Sequence, residues 1–213
     1  MGKLIVLEGI DGSGKSTQFK LLTERLAREG LAFRTVRFPR YDNDSSALLR
    51  MYLAGDFGTR PDDVNAYAAS AFFAVDRYAS YKTESWGAFL DAGGVVLTDR
   101  YTTSNAIHQG AKLKKPERQA FFRWIYEFEF GQMGLPRPTA VIYHDINAGD
   151  AIERIKTRDG AADIHENDAD YLAKCADCAG EAACILGWIP VDAFRSEAEI
   201  HEEIYALVRG EFQ

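Results

Sequence analysis

The chain has 213 residues, which suits one α/β core, because division into two cores is usual only beyond about 250 to 300 residues. Hydrophobic residues make up 46% and charged residues 27%, near the average for a folded domain, which excludes a disordered or fibrous chain. The net charge of −7 opposes general attraction to nucleic acid, and no apolar run approaches the roughly 20 residues of a membrane span, so small-molecule partners and a cytoplasmic location are expected.

The first apolar run, Leu4-Ile5-Val6-Leu7, predicts a buried strand, and Gly9-Ile10-Asp11-Gly12-Ser13-Gly14-Lys15-Ser16 follows it in the pattern G-x-x-x-x-G-K-[ST]. A strand that ends in a glycine-rich turn and restarts as a helix aims backbone N–H groups and the helix's positive end at one point, which suits a polyphosphate. Gly9 to Thr17 are therefore expected to surround a nucleotide's polyphosphate, with Lys15 reaching the β- and γ-phosphates and Ser16 holding Mg²⁺. A helix from Lys15 to Glu29 follows, with Phe19, Leu22 and Leu26 on one face and Gly30 as its stop.

A second strand, Arg34–Phe38, runs into Pro39-Arg40-Tyr41, which presents an aromatic ring and a guanidinium at the edge of the sheet. Asp62 to Trp86 reads as one long helix opened by Pro61, and Phe73 and Arg77, four apart, share a face of it. A ring that stacks on a flat base and an arginine that donates to a base carbonyl make a compact nucleobase reader. The third strand, Val95–Thr98, delivers Asp99, the carboxylate expected of a second Mg²⁺-linked group, and then Arg100, whose guanidinium suits phosphate oxygens. An Asn-Lys-x-Asp guanine reader is absent, which counts against a GTPase switch.

Pro116 to Phe130 predicts another helix and Ala140–Asp145 the fourth strand. Arg154 and Lys156 lead into the polar run from Arg158 to Asp168, so a lid over the phosphates is expected at about 154–168. From Asp170 onward, Tyr171, Leu172, Cys175, Cys178, Ala179, Ala182, Ile185 and Leu186 recur at helical spacing. Cys175, Cys178 and Cys184 then read as small members of a core stripe in preference to a metal site, for which no fourth ligand is evident. Trp188–Val191 gives the fifth strand and Ser196–Arg209 the last helix. This alternation predicts one domain over residues 1–213: a P-loop NTPase-like, five-stranded parallel sheet with helices on both faces and ligands at the strands' carboxyl ends.

Taken together, Leu7 to Thr17, Phe38-Pro39-Arg40-Tyr41, Phe73-Ala-Val-Asp-Arg77, Asp99-Arg100-Tyr101 with Ser104-Asn105, and Gly134-Leu135-Pro136-Arg137-Pro138 resemble thymidylate kinases in order and approximate spacing over nearly the whole chain. The resemblance implies phosphoryl transfer from MgATP to deoxythymidine monophosphate, a mobile lid, and a homodimer packed through helices. It implies that Asp11 contacts the acceptor nucleotide, Phe73 stacks on thymine, Arg77 bonds a thymine carbonyl and Asn105 bonds the base from the other edge. Arg40 and Arg100 would grip or neighbour the acceptor phosphate, Asp99 would lie near Mg²⁺, and Phe38 and Tyr41 would line the acceptor pocket. His108 stands where related chains often carry a tyrosine crowding the sugar's 2′ position, and His165 where they often carry an aromatic.

Some relatives carry a catalytic arginine inside the phosphate loop, where this chain has Ile10, Asp11, Gly12 and Ser13. The missing charge is expected from the lid, from Arg158 first and Arg154 second, either of which would alternatively cover adenine. On that expectation, Arg158→Ala lowers turnover on the order of 10³-fold. The competing readings are another pyrimidine nucleotide kinase, a deoxynucleoside kinase using Glu8 or Asp99 as base, and a non-catalytic nucleotide-binding switch.

Overall fold

The computed structural model describes residues 2–156 and 169–212. Five parallel strands, β1 (Lys3–Glu8), β2 (Phe33–Arg37), β3 (Val95–Asp99), β4 (Ala140–Asp145) and β5 (Ile189–Asp192), form one sheet in the order β2-β3-β1-β4-β5. The two outer strands are each shifted by about one residue from the sequence reading, at positions where apolar spacing gives the weakest signal.

The helices are α1 (Lys15–Arg28), α2 (Ala47–Ala54), α3 (Ala66–Thr83), α4 (Ser85–Asp91), α5 (Thr102–His108), α6 (Lys115–Tyr126), α7 (Ala148–Lys156), α8 (Ala169–Leu186) and α9 (Glu197–Arg209). Successive residues of a strand point to opposite faces, and β1 shows the consequence. Ile5 and Leu7 pack with Phe19, Leu22 and Leu26 of α1 and Ile200, Ile204 and Val208 of α9. Leu4 and Val6 join the opposite core, which includes Trp86 of α4, Ile107 of α5, Phe121 of α6 and Cys175 of α8. The predicted cover of helices on both faces is thus present.

Two predicted helices are corrected. The run from Asp62 to Trp86 is three pieces: a 3₁₀ turn Pro61–Asp63, then α3, then α4. Asn65 caps α3 by accepting from Ala68 N at 2.9 Å, and Glu84 ends it in extended backbone. Gly87 permits the tight turn into α4, since a Cβ there would lie 2.1 Å from the carbonyl oxygen of Tyr81. The helix expected over Pro116–Phe130 is α6 followed by a π-helical turn, Glu127–Gln132.

Cys175 and Cys178 are buried in α8 as expected, but Cys184 is exposed and Ile185 is 41% exposed, so the core stripe is narrower than its spacing suggested. The helices α2 and α5 have no counterpart in the sequence reading. Arg158, His165 and most of the expected lid lie outside the described residues.

Candidate active site

The candidate groups among the described residues lie at the carboxyl ends of β1, β2 and β3 and on the elements that cover them. The phosphate loop follows β1 directly. Gly12 and Gly14 both take φ of +81°, in the left-handed region open to glycine. A Cβ on Gly12 would also sit 2.2 Å from the carbonyl oxygen of Ala151 in α7, so the loop has no room for a side chain there. Gly9 N donates to Glu8 Oε1 at 2.9 Å, Ser13 N donates to Ile10 O at 3.2 Å, and Ile10 is fully buried, which fixes the loop's path.

Lys15 is buried at the start of α1, and Ser16 and Thr17 beside it are exposed. Burial, and then the positive charge of Arg100, lower the Lys15 pKa, with Asp99, Asp11 and Glu8 acting in the opposite direction. Ser16 Oγ donates to Asp99 Oδ2 at 3.4 Å, and Asp99 Oδ2 also pairs with Arg37 at 3.1 Å. Asp99 Oδ1 is buried with no hydrogen-bond partner among the described residues, so an oxygen ligand beside Ser16 is available to a hard cation. On the far side of the loop, an Arg154 Nη1 lies 3.7 Å from where a Gly14 Cβ would be, while its Nη2 donates to Ala193 O at 2.9 Å.

Arg100 joins this loop to a cavity of about 330 Å³. Its φ of +67° is rare for a side-chain-bearing residue and costs about 1 to 3 kcal/mol, a strain that clusters at functional sites. Arg100 N donates to Leu7 O at 3.2 Å and Thr98 Oγ1 donates to Arg100 O at 2.7 Å, which hold the turn. The guanidinium pairs with Asp11 and lies 3.0 Å from His108 Nε2. Burial opposes its charge, but Asp11, Glu8 and Asp99 outweigh that and raise its pKa. His108 is itself buried, with Nδ1 3.6 Å from Cys175 Sγ, so it supports Arg100 as well as lining the cavity.

The cavity's other walls include Phe38, Pro39, Tyr41, Phe73, Arg77 and Asn105. The volume fits the range for a small-molecule site. Arg77 is 2% exposed and forms a two-point pair with Glu129, Nε to Oε2 at 2.7 Å and Nη2 to Oε1 at 2.5 Å. Asn105 Nδ2 donates to the same Glu129 Oε1 at 3.1 Å.

Arg40 lies between two residues that line the cavity, Pro39 and Tyr41. Its guanidinium pairs with Glu84 and lies 3.6 Å from Asp76, and Nη2 reaches Ser45 at 3.3 Å. Two carboxylates on α3 and its C-terminal boundary hold it, which spacing within Phe38–Tyr41 does not reveal. Glu8 is no free base. Its Oε1 accepts from Gly9 N, and its Oε2 accepts from Thr103 at 2.5 Å and Ser104 at 2.7 Å.

Two residues escaped the sequence reading. Gln109 is 1% exposed, lines the cavity, and has both amide atoms unpartnered among the described residues. It follows His108 directly, and that adjacency is its only sequence signal. Glu129 sits in the π-helical turn, where the helical pattern marks it merely as a polar interruption.

Comparison with known proteins agrees with this arrangement. The family model described as thymidylate kinase matches residues 7–204. The thymidylate kinase of Mycobacterium tuberculosis (strain ATCC 25618 / H37Rv) is 31% identical over 191 residues, 87% of this chain and 87% of the relative. The human thymidylate kinase is 30% identical over 210 residues, covering 97% of this chain and 89% of its own length. A probable thymidylate kinase of Pyrococcus abyssi is 30% identical over 217 residues, 99% and 97% of the two chains. A phosphate loop joined through a strained arginine to a base-sized cavity, and a family match over most of the length, lead to one conclusion: the chain belongs to the thymidylate kinase family.

Proposed function

We infer that this chain transfers the γ-phosphoryl group of ATP to deoxythymidine monophosphate, giving dTDP and ADP, with the donor on the phosphate loop and the acceptor in the cavity beside it. The observation that carries the assignment of the two sites is Arg100, which pairs with Asp11 of the loop and lines the same cavity as Phe73, Arg77 and Asn105. One guanidinium thus reaches the place where a donor and an acceptor phosphate would meet.

The acceptor phosphate has a second ionisation near pH 6, so at neutral pH it is mostly a ready nucleophile and needs no base. The engagement of both Glu8 oxygens agrees with this and argues against a hydroxyl acceptor. Positioning and charge stabilisation are then the work of the site. Lys15 takes the β- and γ-phosphates, Arg100 takes the acceptor phosphate, and Arg154, held beside Gly14, faces the donor. Ser16 Oγ and Asp99 Oδ1 would hold Mg²⁺, whose charge offsets that developing on the transferred group when it is bound. In the base pocket Phe73 stacks on thymine, Arg77 donates to a carbonyl and Asn105 faces the ring N–H; Gln109 is a further donor and acceptor for the sugar or base. Arg158 is retained as the lid's catalytic charge.

A homodimer fits the surface. Leu48 and Met51 of α2 and Val75 and Tyr78 of α3 are 50%, 40%, 49% and 40% exposed on adjacent helices, an apolar area that a second copy would cover. No helix among the described residues is long and apolar enough to cross a membrane.

A coupled assay of ADP release tests the reaction. ADP should appear only with an added nucleoside monophosphate, and dTMP should outcompete the cytidine, adenosine and guanosine monophosphates. ADP release that ignores the acceptor, or a purine monophosphate as the best acceptor, would remove the assignment of the cavity.

A further inference from the structure

The base end of the cavity is built on Glu129, whose carboxylate is fully buried. Four donors reach it: Arg77 Nε at 2.7 Å and Thr102 Oγ1 at 2.6 Å on Oε2, Arg77 Nη2 at 2.5 Å and Asn105 Nδ2 at 3.1 Å on Oε1. A carboxylate has about four lone-pair sites, so its capacity is fully used. Asn105 Nδ2 also lies 3.1 Å from the carbonyl oxygen of Ser70. Carboxylate and carbonyl oxygens accept and do not donate, so the Asn105 atom between them must be the NH₂ group. That leaves Oδ1 for the cavity which Asn105 lines. Arg77 commits Nε and one hydrogen of Nη2 to Glu129, so what it offers the same cavity is donors only, on Nη1 and the rest of Nη2.

We propose that Glu129 is a positioning residue that sets base specificity, by locking Asn105 and Arg77 as one acceptor beside one donor. That pair complements a base edge with a ring N–H next to a carbonyl, as in thymine and uracil. Cytosine shows the reverse, a ring acceptor next to an amino donor, and would leave buried groups facing their own kind. An unrestrained asparagine can turn its amide over and accept either edge. Glu129 removes that freedom, because turning would set Oδ1 against a carboxylate. The inference rests on the reading of Phe73, Arg77 and Asn105 as the base site.

The test is the ratio of kcat/KM for dTMP over dCMP in the wild type, Glu129→Gln and Glu129→Asp, with KM for ATP and the thermal transition measured alongside. The wild-type ratio should be on the order of 10⁴, as for sites that bond a base edge through buried polar groups. Glu129→Gln, whose NH₂ can face an Asn105 carbonyl, should lose at least about 10-fold of that ratio with KM for ATP unchanged. Glu129→Asp keeps an acceptor-only group opposite Arg77 but is one methylene short, so its ratio should fall between the two; it carries the test if Glu129→Gln does not fold. A purely structural Glu129 would depress both acceptors alike, and an unchanged ratio in every folded variant overturns the proposal. A wild type that does not separate dTMP from dCMP would instead overturn the base-site reading beneath it.

Discussion

Around the phosphate loop, Ser13 Oγ and Asp99 Oδ1 are buried without a partner among the described residues, and neither ring nitrogen of His144 has a hydrogen bond of ordinary geometry. Around Glu129, by contrast, four donors fill one carboxylate. The loop is shaped by backbone, through two glycines at φ +81° and a strand that ends beneath them, and its polar groups are left for a ligand. The base end is shaped by side chains that satisfy one another before any ligand arrives. Recognition of a polyphosphate needs many N–H groups aimed at one point, which a loop supplies; recognition of a base edge needs donors and acceptors that cannot exchange, which a closed network supplies.

Substitutions should separate the two regions by what they break. Lys15→Ala removes an amine whose charged form is already disfavoured by burial, so it should leave the thermal transition nearly unchanged while phosphoryl transfer falls by at least about 10³-fold. Retention of most of the activity would mean that the loop does not hold the reacting phosphates. Arg77→Ala should do the opposite. It strands the buried Glu129 carboxylate, at a loss of about 3 to 5 kcal/mol in denaturant unfolding, together with a weaker hold on the acceptor. A loss below about 1 kcal/mol would show that the network is not the support described. Replacing both partners by apolar groups, Arg77→Met with Glu129→Leu, should restore much of the stability without restoring the choice of base.

The same contrast explains what was legible in the sequence. Gly9 to Ser16 are consecutive, and their chemistry depends on local backbone, so spacing alone located the loop. The three central strands were legible as apolar runs because both of their faces are buried, whereas the part-exposed edge strands β2 and β5 were each read about one residue off. Arg77 was reached through its spacing from Phe73 and Asn105 through resemblance, but Glu129, which joins them, is 52 and 24 residues away from them and belongs to a π-helical turn. Nothing local marks such a residue. Arg40 shows the same limit: the carboxylates of Asp76 and Glu84 beside it are 36 and 44 residues away, and no local spacing marks them. The break between α3 and α4 was hidden because apolar spacing continues across Glu84.

His144 gives the smallest and most specific effect. It is fully buried on β4 behind the phosphate loop, so close that a Cβ on Gly9 would lie 3.1 Å from its own Cβ. Burial, and then the charge of Lys15, lower its pKa to about 4, against weaker opposing effects of the Ser13 backbone and Asp99. Between about pH 4 and 6.5 the unfolded chain therefore binds a proton at this ring that the folded chain does not. Unfolding is favoured as the pH falls through that window, and the stability contribution is intact above 6.5. The drop of 6.5 to about 4 corresponds to roughly 3 kcal/mol at about 1.36 kcal/mol per unit. Other groups also contribute to the pH dependence of unfolding, so the difference between the wild type and His144→Leu is the informative quantity. Denaturant unfolding at several pH values should show the leucine variant gaining on the wild type as the pH falls from 6.5 to 4, with the two differing by a constant above 6.5. Parallel curves across the whole range would mean that His144 takes up its proton as readily folded as unfolded, and that the ground behind the loop is more hydrated than its burial implies. ATP sharpens the case: phosphates drawn to Lys15 offset the charge that holds the proton off, so saturating nucleotide should narrow the gap between the two proteins at acidic pH.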